Sequence, residues 1–199
     1  MITLLLLSHP VSAACDCQWQ GPFSWLVDES DTIIHGEVVS HKGNSFDIWV
    51  ETVLKGREFQ EVVRLWGTMG DDCRAEVKDF PFATHWVFAL RKIKHIPDGG
   101  FNPSTPNISF GRVGDYELLR CGAYWLKAEG DKVSGNITSI FDWDYAPAMT
   151  PIPILLLQDF IDGKANYADI ITVSQEVTSP EVMLRQSKKE LGIGDEWDH

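Results

Sequence analysis

Residues 32–40 read Thr-Ile-Ile-His-Gly-Glu-Val-Val-Ser, a run rich in Ile and Val with Gly36 at its centre. β-Branched residues favour the extended backbone of a strand. A glycine in the middle of a strand often marks a bulge or a sharp bend, and small barrels use such bends. This segment therefore predicts a strand of a small β-barrel.

Several segments after residue 40 also have the sequence pattern of β-strands. Residues 45–54 alternate between apolar and polar side chains, so that Phe46, Ile48 and Val50 fall on one face of a half-buried strand. The other predicted strands are residues 62–66, residues 85–91 and the two arms of a hairpin at residues 124–137. Five or six short strands with long loops between them indicate a mainly β protein, such as a Greek-key barrel of the OB-fold type.

Two segments are predicted to lie outside the strands. Residues 94–114 are rich in Pro, Gly, Asn and Ser, which predicts a long surface loop. The last third, residues 141–199, changes character and is expected to form a helical appendage with two short helices. The first begins at the N-cap pair Thr150-Pro151 and ends at Gly163. The second opens at Ser179-Pro180-Glu181 and closes near Gly192.

The N-terminus resembles the end of an export signal. Residues 2–7 are almost wholly apolar, Pro10 follows, and Ser12 and Ala14 satisfy the small-x-small rule for cleavage just before Cys15. We therefore expect residues 1–14 to be a signal peptide and the protein to be secreted, periplasmic or part of the cell envelope. The apolar run is too short for the ~20 residues that a membrane span requires.

Three alternatives stay open for this segment. Cleavage one residue earlier is compatible with Val11 and Ala13. A lipoprotein signal would leave Cys15 acylated, although Ser12 stands where that motif usually has leucine. The segment could also form a buried N-terminal strand.

The chain contains four cysteines, Cys15, Cys17, Cys73 and Cys121. An even number behind an export signal predicts two disulfides. A bond between Cys15 and Cys17 is sterically poor, and the two other pairings both tie the C-D-C segment to two distant points of the chain. A structural zinc site fits less well, because such sites usually contain close C-x2-C or H-x3-H pairs.

Charge and motifs exclude several classes of function. The formal net charge of −12 argues against nucleic acid and against anionic lipid as partners. The chain contains no H-E-x-x-H, no G-x-S-x-G and no phosphate-binding glycine loop, so we expect no enzyme activity and no cofactor. No two of the six histidines have metal-ligand spacing, and His35 and His85 are interpreted as residues of the barrel wall or rim.

Several of these features together resemble the netrin-like module, and in particular the N-terminal domain of the tissue inhibitors of metalloproteinases. The resemblance rests on C-D-C at residues 15–17, the strand at residues 31–39, the strand end Val-Leu-Lys-Gly at residues 53–56, and the single Cys73 and Cys121. It covers residues 15–140. It implies a five-stranded OB barrel with a C-terminal hairpin extension, and the disulfides Cys15–Cys73 and Cys17–Cys121.

The resemblance also implies a mechanism. In the inhibitors, the free α-amine and the carbonyl oxygen of the first cysteine chelate the zinc ion of a metalloprotease, and Cys15 would take that role here. The next residue enters the specificity pocket of the protease, which is usually apolar. That residue is Asp16 in this chain, and burial of an unpaired carboxylate is costly.

The main hypothesis from the sequence is therefore an exported, disulfide-stabilised module that binds a protein partner. Its sharper form is an inhibitor of zinc metalloproteases that acts through Cys15. The alternative is a structural or adhesion module of the cell envelope, lipid-anchored at Cys15. An enzyme with an unrecognised site is the third reading.

Overall fold

The computed structural model describes residues 15, 17–70, 72–138 and 151–177. These residues form three short α-helices and eight β-strands. The helices are α1 (Phe23–Glu29), α2 (Ile154–Ile161) and α3 (Tyr167–Val177). The strands are β1 (Thr32–Lys42), β2 (Ser45–Lys55), β3 (Val62–Trp66), β4 (His85–Lys92), β5 (Tyr116–Glu117), β6 (Trp125–Glu129), β7 (Lys132–Ser134) and β8 (Ile152–Pro153).

Five of the strands close into a barrel. β1 pairs antiparallel with both β2 and β4, and β2 pairs with β3. β3 pairs parallel with β5, which in turn pairs antiparallel with β4, so the ring of strands has no free edge within it. This mainly β, closed five-stranded barrel of OB-fold type confirms the fold class expected from the sequence.

Gly36 lies where β1 bends, as its place in the strand predicted. The register of β1 against β2 shifts between His35 and Gly36. A Cβ atom at Gly36 would lie 2.2 Å from the carbonyl oxygen of Trp49 and 2.7 Å from the Cγ2 atom of Ile48. The close approach of β1 and β2 therefore requires a residue without a side chain at this point.

Strand β4 separates two hydrophobic cores and is buried on both faces. Its alternate residues Trp86, Phe88 and Leu90 point into the barrel, whereas Val87 and Ala89 point outward under the helices. The inner core fills the barrel with Ile34, Val38, Phe46, Ile48, Val63, Leu65, Phe80, Tyr116 and Leu118. The outer core contains Phe23, Leu26, Ile33, Leu126, Val133, Ile152, Leu157 and Ile170.

The predicted hairpin at residues 124–137 is confirmed and extends the barrel sheet. β6 pairs with β4, β7 pairs with β6, and β8 adds to β7 through Val133 and Ile152.

Helix α2 begins at Ile154, three residues later than the sequence indicated, because Ile152 and Pro153 belong to β8. It ends at Ile161, and the following Gly163 has a φ of 73°, as expected of a helix-ending glycine. Thr150 lies outside the described residues.

Helices α1 and α3 were not predicted from the sequence. The start of α1 is capped from elsewhere in the fold: the amides of Phe23 and Ser24 each donate a 3.0 Å hydrogen bond, to the carbonyls of Asn136 and Ile137 respectively. At its other end, the Lys55 ammonium donates to the carbonyls of Val27, Asp28 and Ser30.

The start of α3 carries a local signal. The side-chain oxygen of Asn166 accepts a hydrogen bond from the amide of Ala168, and the carboxylate of Asp169 accepts one from the amide of Asn166. This is the reciprocal arrangement of a capping box.

The second predicted helix, from Ser179 to Gly192, lies outside the described residues. In the described part of the chain, no helix is both long and apolar enough to cross a membrane.

We expect Gly36→Ala to destabilise the protein by about 3 kcal/mol, because the new Cβ meets backbone of β2 that cannot move aside. Chemical denaturation followed by tryptophan fluorescence measures this loss. Gly99→Ala is the matched control, since its Cβ would point into open space and only its φ of 76° is unfavourable. Equal losses in the two variants would contradict the bend assigned to Gly36.

Candidate functional site

The two disulfides meet at one place on the rim of the barrel. Cys15 is bonded to Cys73 and Cys17 to Cys121, with Cα–Cα distances of 5.1 and 5.8 Å. The four sulfur atoms all lie within 4.8 Å of one another. This is the pairing that the netrin-like resemblance implied, where spacing alone had left two pairings open.

Backbone pairing brings Cys73 and Cys121 side by side. The amide of Ala75 donates to the carbonyl of Leu118 at 2.8 Å, and the amide of Arg120 donates to the carbonyl of Cys73 at 3.2 Å. These bonds place residues 73–75 beside residues 118–120 although the two segments are far apart in the chain. Cys73 and Cys121 therefore lie close together on one side of the barrel rim.

The N-terminal segment is held against this pair by hydrogen bonds as well as by disulfides. The amide of Gln20 donates to the carbonyl of Cys121 at 2.7 Å, and the amide of Ala123 donates to the carbonyl of Gly21 at 3.1 Å. The segment then enters helix α1, whose apolar face is part of the outer core. Residues 15 and 17 are thus attached to the rigid barrel and not to a free tail.

The buried side chain of Arg74 stabilises the barrel rim. Its side chain is 0% exposed, and its guanidinium donates to the Glu117 carboxylate at 3.1 Å and to the carbonyl of Phe110. The guanidinium carbon also lies 3.9 Å from the centroid of the Phe110 ring. A buried arginine is stable only when it is paired and hydrogen-bonded in this way, so Arg74 ties the Cys73 segment to β5 and to the long loop.

The loop before Cys73 is held in shape by Asp72. The Asp72 carboxylate accepts a 2.9 Å hydrogen bond from the hydroxyl of Thr68 and 3.2 Å hydrogen bonds from the amide of Met69. Cys73 itself has a φ of 50°, which is uncommon for a residue other than glycine. The disulfide, the Asp72 contacts and Arg74 together impose this conformation, and such imposed strain is frequent at binding sites.

A groove of about 410 Å³ begins at the same loop. Met69 and Ile108 are exposed apolar residues in its wall, and Val77 and the charged pair Glu76 and Lys78 line it as well. The other lining residues are Gly43, Asn44 and Thr68. An apolar groove with a few polar groups at its edge is the usual form of a binding surface.

Asn44 joins the three segments that form this groove. Its side-chain nitrogen donates to the carbonyls of Gly67 and Ser109 at 3.0 and 2.9 Å, and its side-chain oxygen accepts from the amide of Ser109 at 2.9 Å. The turn between β1 and β2, the segment after β3 and the long loop at residues 94–114 are therefore held together. The predicted loop is confirmed as irregular structure, but it is anchored at this point.

Two hydrogen-bonded pairs of titratable residues connect segments of the barrel. Hydrogen bonds from Arg64, at 2.7 and 2.9 Å, and from Ser40 hold the pKa of Asp47 below its usual value. Burial, together with a hydrogen bond to Glu58, raises the pKa of Tyr116 well above its usual value. Both pairs link neighbouring segments of the barrel.

No family model matches this chain, and the search of the curated proteins finds no match for it. The fold class therefore rests on the structure, and the netrin-like relationship stays a prediction.

The structure brings together the four cysteines that the sequence singled out, whereas Asp16 lies outside the described residues. Sequence reasoning missed Arg74, Asn44 and the groove. A lone arginine and a lone asparagine carry no periodic signal, and their partners are far away in the chain. The position of Arg74 directly after Cys73 was the one available hint.

We expect Arg74→Ala to lower the free energy of unfolding by about 3 kcal/mol, because it leaves Glu117 and the carbonyl of Phe110 without their donor. Chemical denaturation measures the loss. Lys78→Ala is the control: its partner Glu76 is exposed, so stability should be unchanged. A loss in Arg74→Ala no larger than in Lys78→Ala would refute the role given to Arg74.

We expect the pair of Asp47 and Arg64 to stabilise the fold above the ordinary aspartate pKa of 3.8 and to lose that effect as the pH falls through the lower pKa of the folded state. Asp47→Asn should therefore cost about 1–2 kcal/mol at pH 7 and progressively less in acid. Denaturation curves between pH 7 and pH 2 measure this difference. Asp98→Asn, in the exposed long loop, is the control and should change the free energy of unfolding at pH 7 by less than about 0.5 kcal/mol.

Proposed function

We propose that the protein is an exported module that binds a zinc metalloprotease and inhibits it through the α-amine and carbonyl oxygen of Cys15. The observation that carries this proposal is the pair of adjacent disulfides, which attaches Cys15 and Cys17 to the barrel rim. A chelating group held in one position loses little conformational entropy when it binds, and it therefore binds more tightly than the same group on a loose end.

The chemistry requires that cleavage occurs just before Cys15. The new α-amine has an ordinary pKa of about 7.7–8, so zinc can displace its proton at modest cost near neutral pH. The amine nitrogen and the carbonyl oxygen of the same residue then form a chelate with the metal. They take the place of the water molecule that the protease needs for hydrolysis.

The groove beside the rim supplies the rest of the interface in this proposal. Met69 is four residues before Cys73, the disulfide partner of Cys15, and in this proposal the bound protease contacts both Cys15 and the groove wall formed by Met69 and Ile108. Exposed apolar side chains beside an anchored chelator provide area from which water can be excluded. The module needs no cofactor and no catalytic residue of its own for this action.

The same bonds support the proposal that the protein is exported. Two disulfides persist in oxidising environments, so the proposed location is outside the cytoplasm, either secreted or in the cell envelope. Residues 1–14 would then be the export signal. The partner is a protein and not a nucleic acid, because the net charge of −12 repels phosphates.

The second candidate, a lipid-anchored envelope module, uses the Cys15 sulfur in a different bond. Attachment of a diacylglyceryl group to that sulfur through a thioether bond would leave Cys73 without its disulfide partner. The bond between Cys15 and Cys73 therefore favours the free N-terminus, and a membrane partner enters only if Cys15 is acylated.

The first experiment is the intact mass of the exported protein with and without reduction. We expect a mature chain that begins at Cys15 and gains four hydrogen atoms on reduction of its two disulfides. This protein should inhibit at least one member of a panel of zinc endopeptidases. A variant whose mature chain begins at Ala14 should lose inhibition by about 100-fold or more, because its Cys15 nitrogen is an amide and cannot bind zinc.

Asp16→Leu tests the fit to the specificity pocket in the same assay. It should tighten inhibition of proteases with an apolar pocket by about tenfold or more, since no unpaired carboxylate is then buried. Equal inhibition by the chains that begin at Cys15 and at Ala14 would refute chelation. An acylated Cys15 would replace this proposal with the envelope module.

A further inference from the structure

The four cysteine sulfurs converge more closely than two disulfides require. A disulfide needs only its own two sulfur atoms to meet, yet the sulfurs of Cys15, Cys73, Cys17 and Cys121 all lie within 4.8 Å of one another. Among the residues that the structure describes, this is the one group of histidine, cysteine and carboxylate side chains that converges closely enough to hold a metal ion. Cys121 is buried and the other three cysteines are partly exposed, so an ion can reach the group from the rim.

The ligand atoms of this group are all sulfur. His35 and His85 are not members of it, because both contact the Glu51 carboxylate in the barrel wall, at 3.1 and 3.2 Å. Four thiolates are a ligand set of structural zinc sites, whereas Mg²⁺ and Ca²⁺ prefer oxygen. The chemistry of the group in its reduced form therefore favours Zn²⁺.

The spacing of the sulfurs is close to that of a tetrahedral zinc site. Zn²⁺ binds thiolate sulfur at about 2.3 Å, so neighbouring sulfurs of the tetrahedron lie about 3.8 Å apart. After reduction, the two sulfurs of each former disulfide need to move by only about 1 Å each to reach that spacing. The paired backbones are 5.1 and 5.8 Å apart between Cα atoms, and rotation of the side chains is enough for such a movement.

Hydrogen bonds hold the four cysteines together independently of the sulfur–sulfur bonds. The amide of Arg120 donates to the carbonyl of Cys73 at 3.2 Å, and the amide of Gln20 donates to the carbonyl of Cys121 at 2.7 Å. Helix α1, which follows the C-D-C segment, buries its apolar face in the outer core. Reduction therefore leaves the thiols gathered at one point of the rim, and their arrangement around a metal costs little conformational entropy.

We propose that the reduced protein binds one Zn²⁺ ion through Cys15, Cys17, Cys73 and Cys121, so that the rim has two alternative cross-links. Under reducing conditions zinc attaches the N-terminal segment to the barrel, and under oxidising conditions the two disulfides attach it. The resident ion differs from the zinc of a protease, because it binds the sulfur of Cys15 and not the α-amine and carbonyl oxygen. This site goes beyond the proposed inhibition and does not depend on it.

The exchange between the two cross-links balances in electrons and protons. A phosphine reductant and one water molecule convert each disulfide into two thiols and a phosphine oxide. Zn²⁺ then displaces the four thiol protons. In the reverse direction, two molecules of a diazene oxidant remove four electrons from the four thiolates, and each becomes a hydrazine by taking up two protons from water. Two disulfides form and one Zn²⁺ ion leaves.

The test compares the reduced and oxidised forms of the chain that begins at Ala14, in which the Cys15 nitrogen is an amide and cannot bind zinc. The reduced form is prepared without oxygen, and the phosphine is removed. Calorimetric titration with ZnCl₂ should then show one Zn²⁺ per chain, and the melting temperature should rise with the zinc concentration, because the metal binds the folded state. The oxidised form should show neither effect, and MgCl₂ should give neither effect with the reduced form.

Two variants examine the ligands. Cys17→Ser and Cys121→Ser should each weaken zinc binding by the reduced chain about 100-fold or more, because each removes one of the four thiolates. Circular dichroism checks that both variants are folded. His95→Ala, at an exposed histidine of the long loop, is the matched control and should bind zinc as the parent protein does.

Two measurements test the site without any substitution. Co²⁺ bound to the reduced chain should give the intense visible absorption of a four-coordinate ion, together with charge-transfer bands from thiolate ligands. Titration of the zinc-loaded chain with a diazene oxidant should release the ion completely at two molecules of oxidant per Zn²⁺, and a chromogenic chelator follows the release.

Three results would overturn the site: no zinc binding by the reduced chain below millimolar concentration, equal affinity in the parent and both cysteine variants, or zinc that stays bound after both disulfides have formed again. These outcomes are separate from those of the inhibition test, which uses the oxidised chain that begins at Cys15. The chain that begins at Ala14 should lose protease inhibition and still bind zinc when reduced, so failure of one proposal leaves the other standing.

Discussion

The pairing of β1 with two neighbours at once is the constraint on which the rest of the structure depends. Barrel closure requires β1 to bend sharply enough to meet β4 on one side while it stays paired with β2 on the other. Gly36 permits the bend because β2 comes too close there for any Cβ atom. Once the ring is closed, its five strands enclose an aromatic-rich inner core that contains the buried rings of Phe46, Phe80, Trp86 and Phe88.

Closure also creates the surface on which the helices rest. Because β4 lies inside the sheet between β1 and β6, its outward side chains need a second cover, and α1, α2 and α3 supply it. Ile152, Leu157 and Ile170 share one apolar cluster with Ile33 and Val87, so the described C-terminal segment stabilises the barrel wall directly. The stability of the barrel and that of this segment are therefore coupled.

The strand topology of the barrel also brings together the segments that form the rim. The strand order brings residues 73–75 beside residues 118–120, and this puts two cysteines at the point that the C-D-C segment reaches. The buried Arg74, the Asp72 contacts and the Asn44 bridge then hold the neighbouring loops as one surface. A rim of this kind presents the backbone of Cys15 as a rigid group, which is the physical basis of the proposed chelation.

The sequence by itself predicted the strands β1 to β4, the hairpin, the long loop and the bend at Gly36, because alternation and turn composition are local properties. It did not predict the two-residue strands β5 and β8, which are too short to show alternation. It also indicated which cysteines matter, but spacing left their pairing open. Only the tertiary structure decided that pairing, the late start of α2 after β8, the burial of Arg74 and the meeting of His35, Glu51 and His85. The reason is register: a pattern of period two predicts that a strand exists and which face it buries, but it does not specify which distant residue lies opposite.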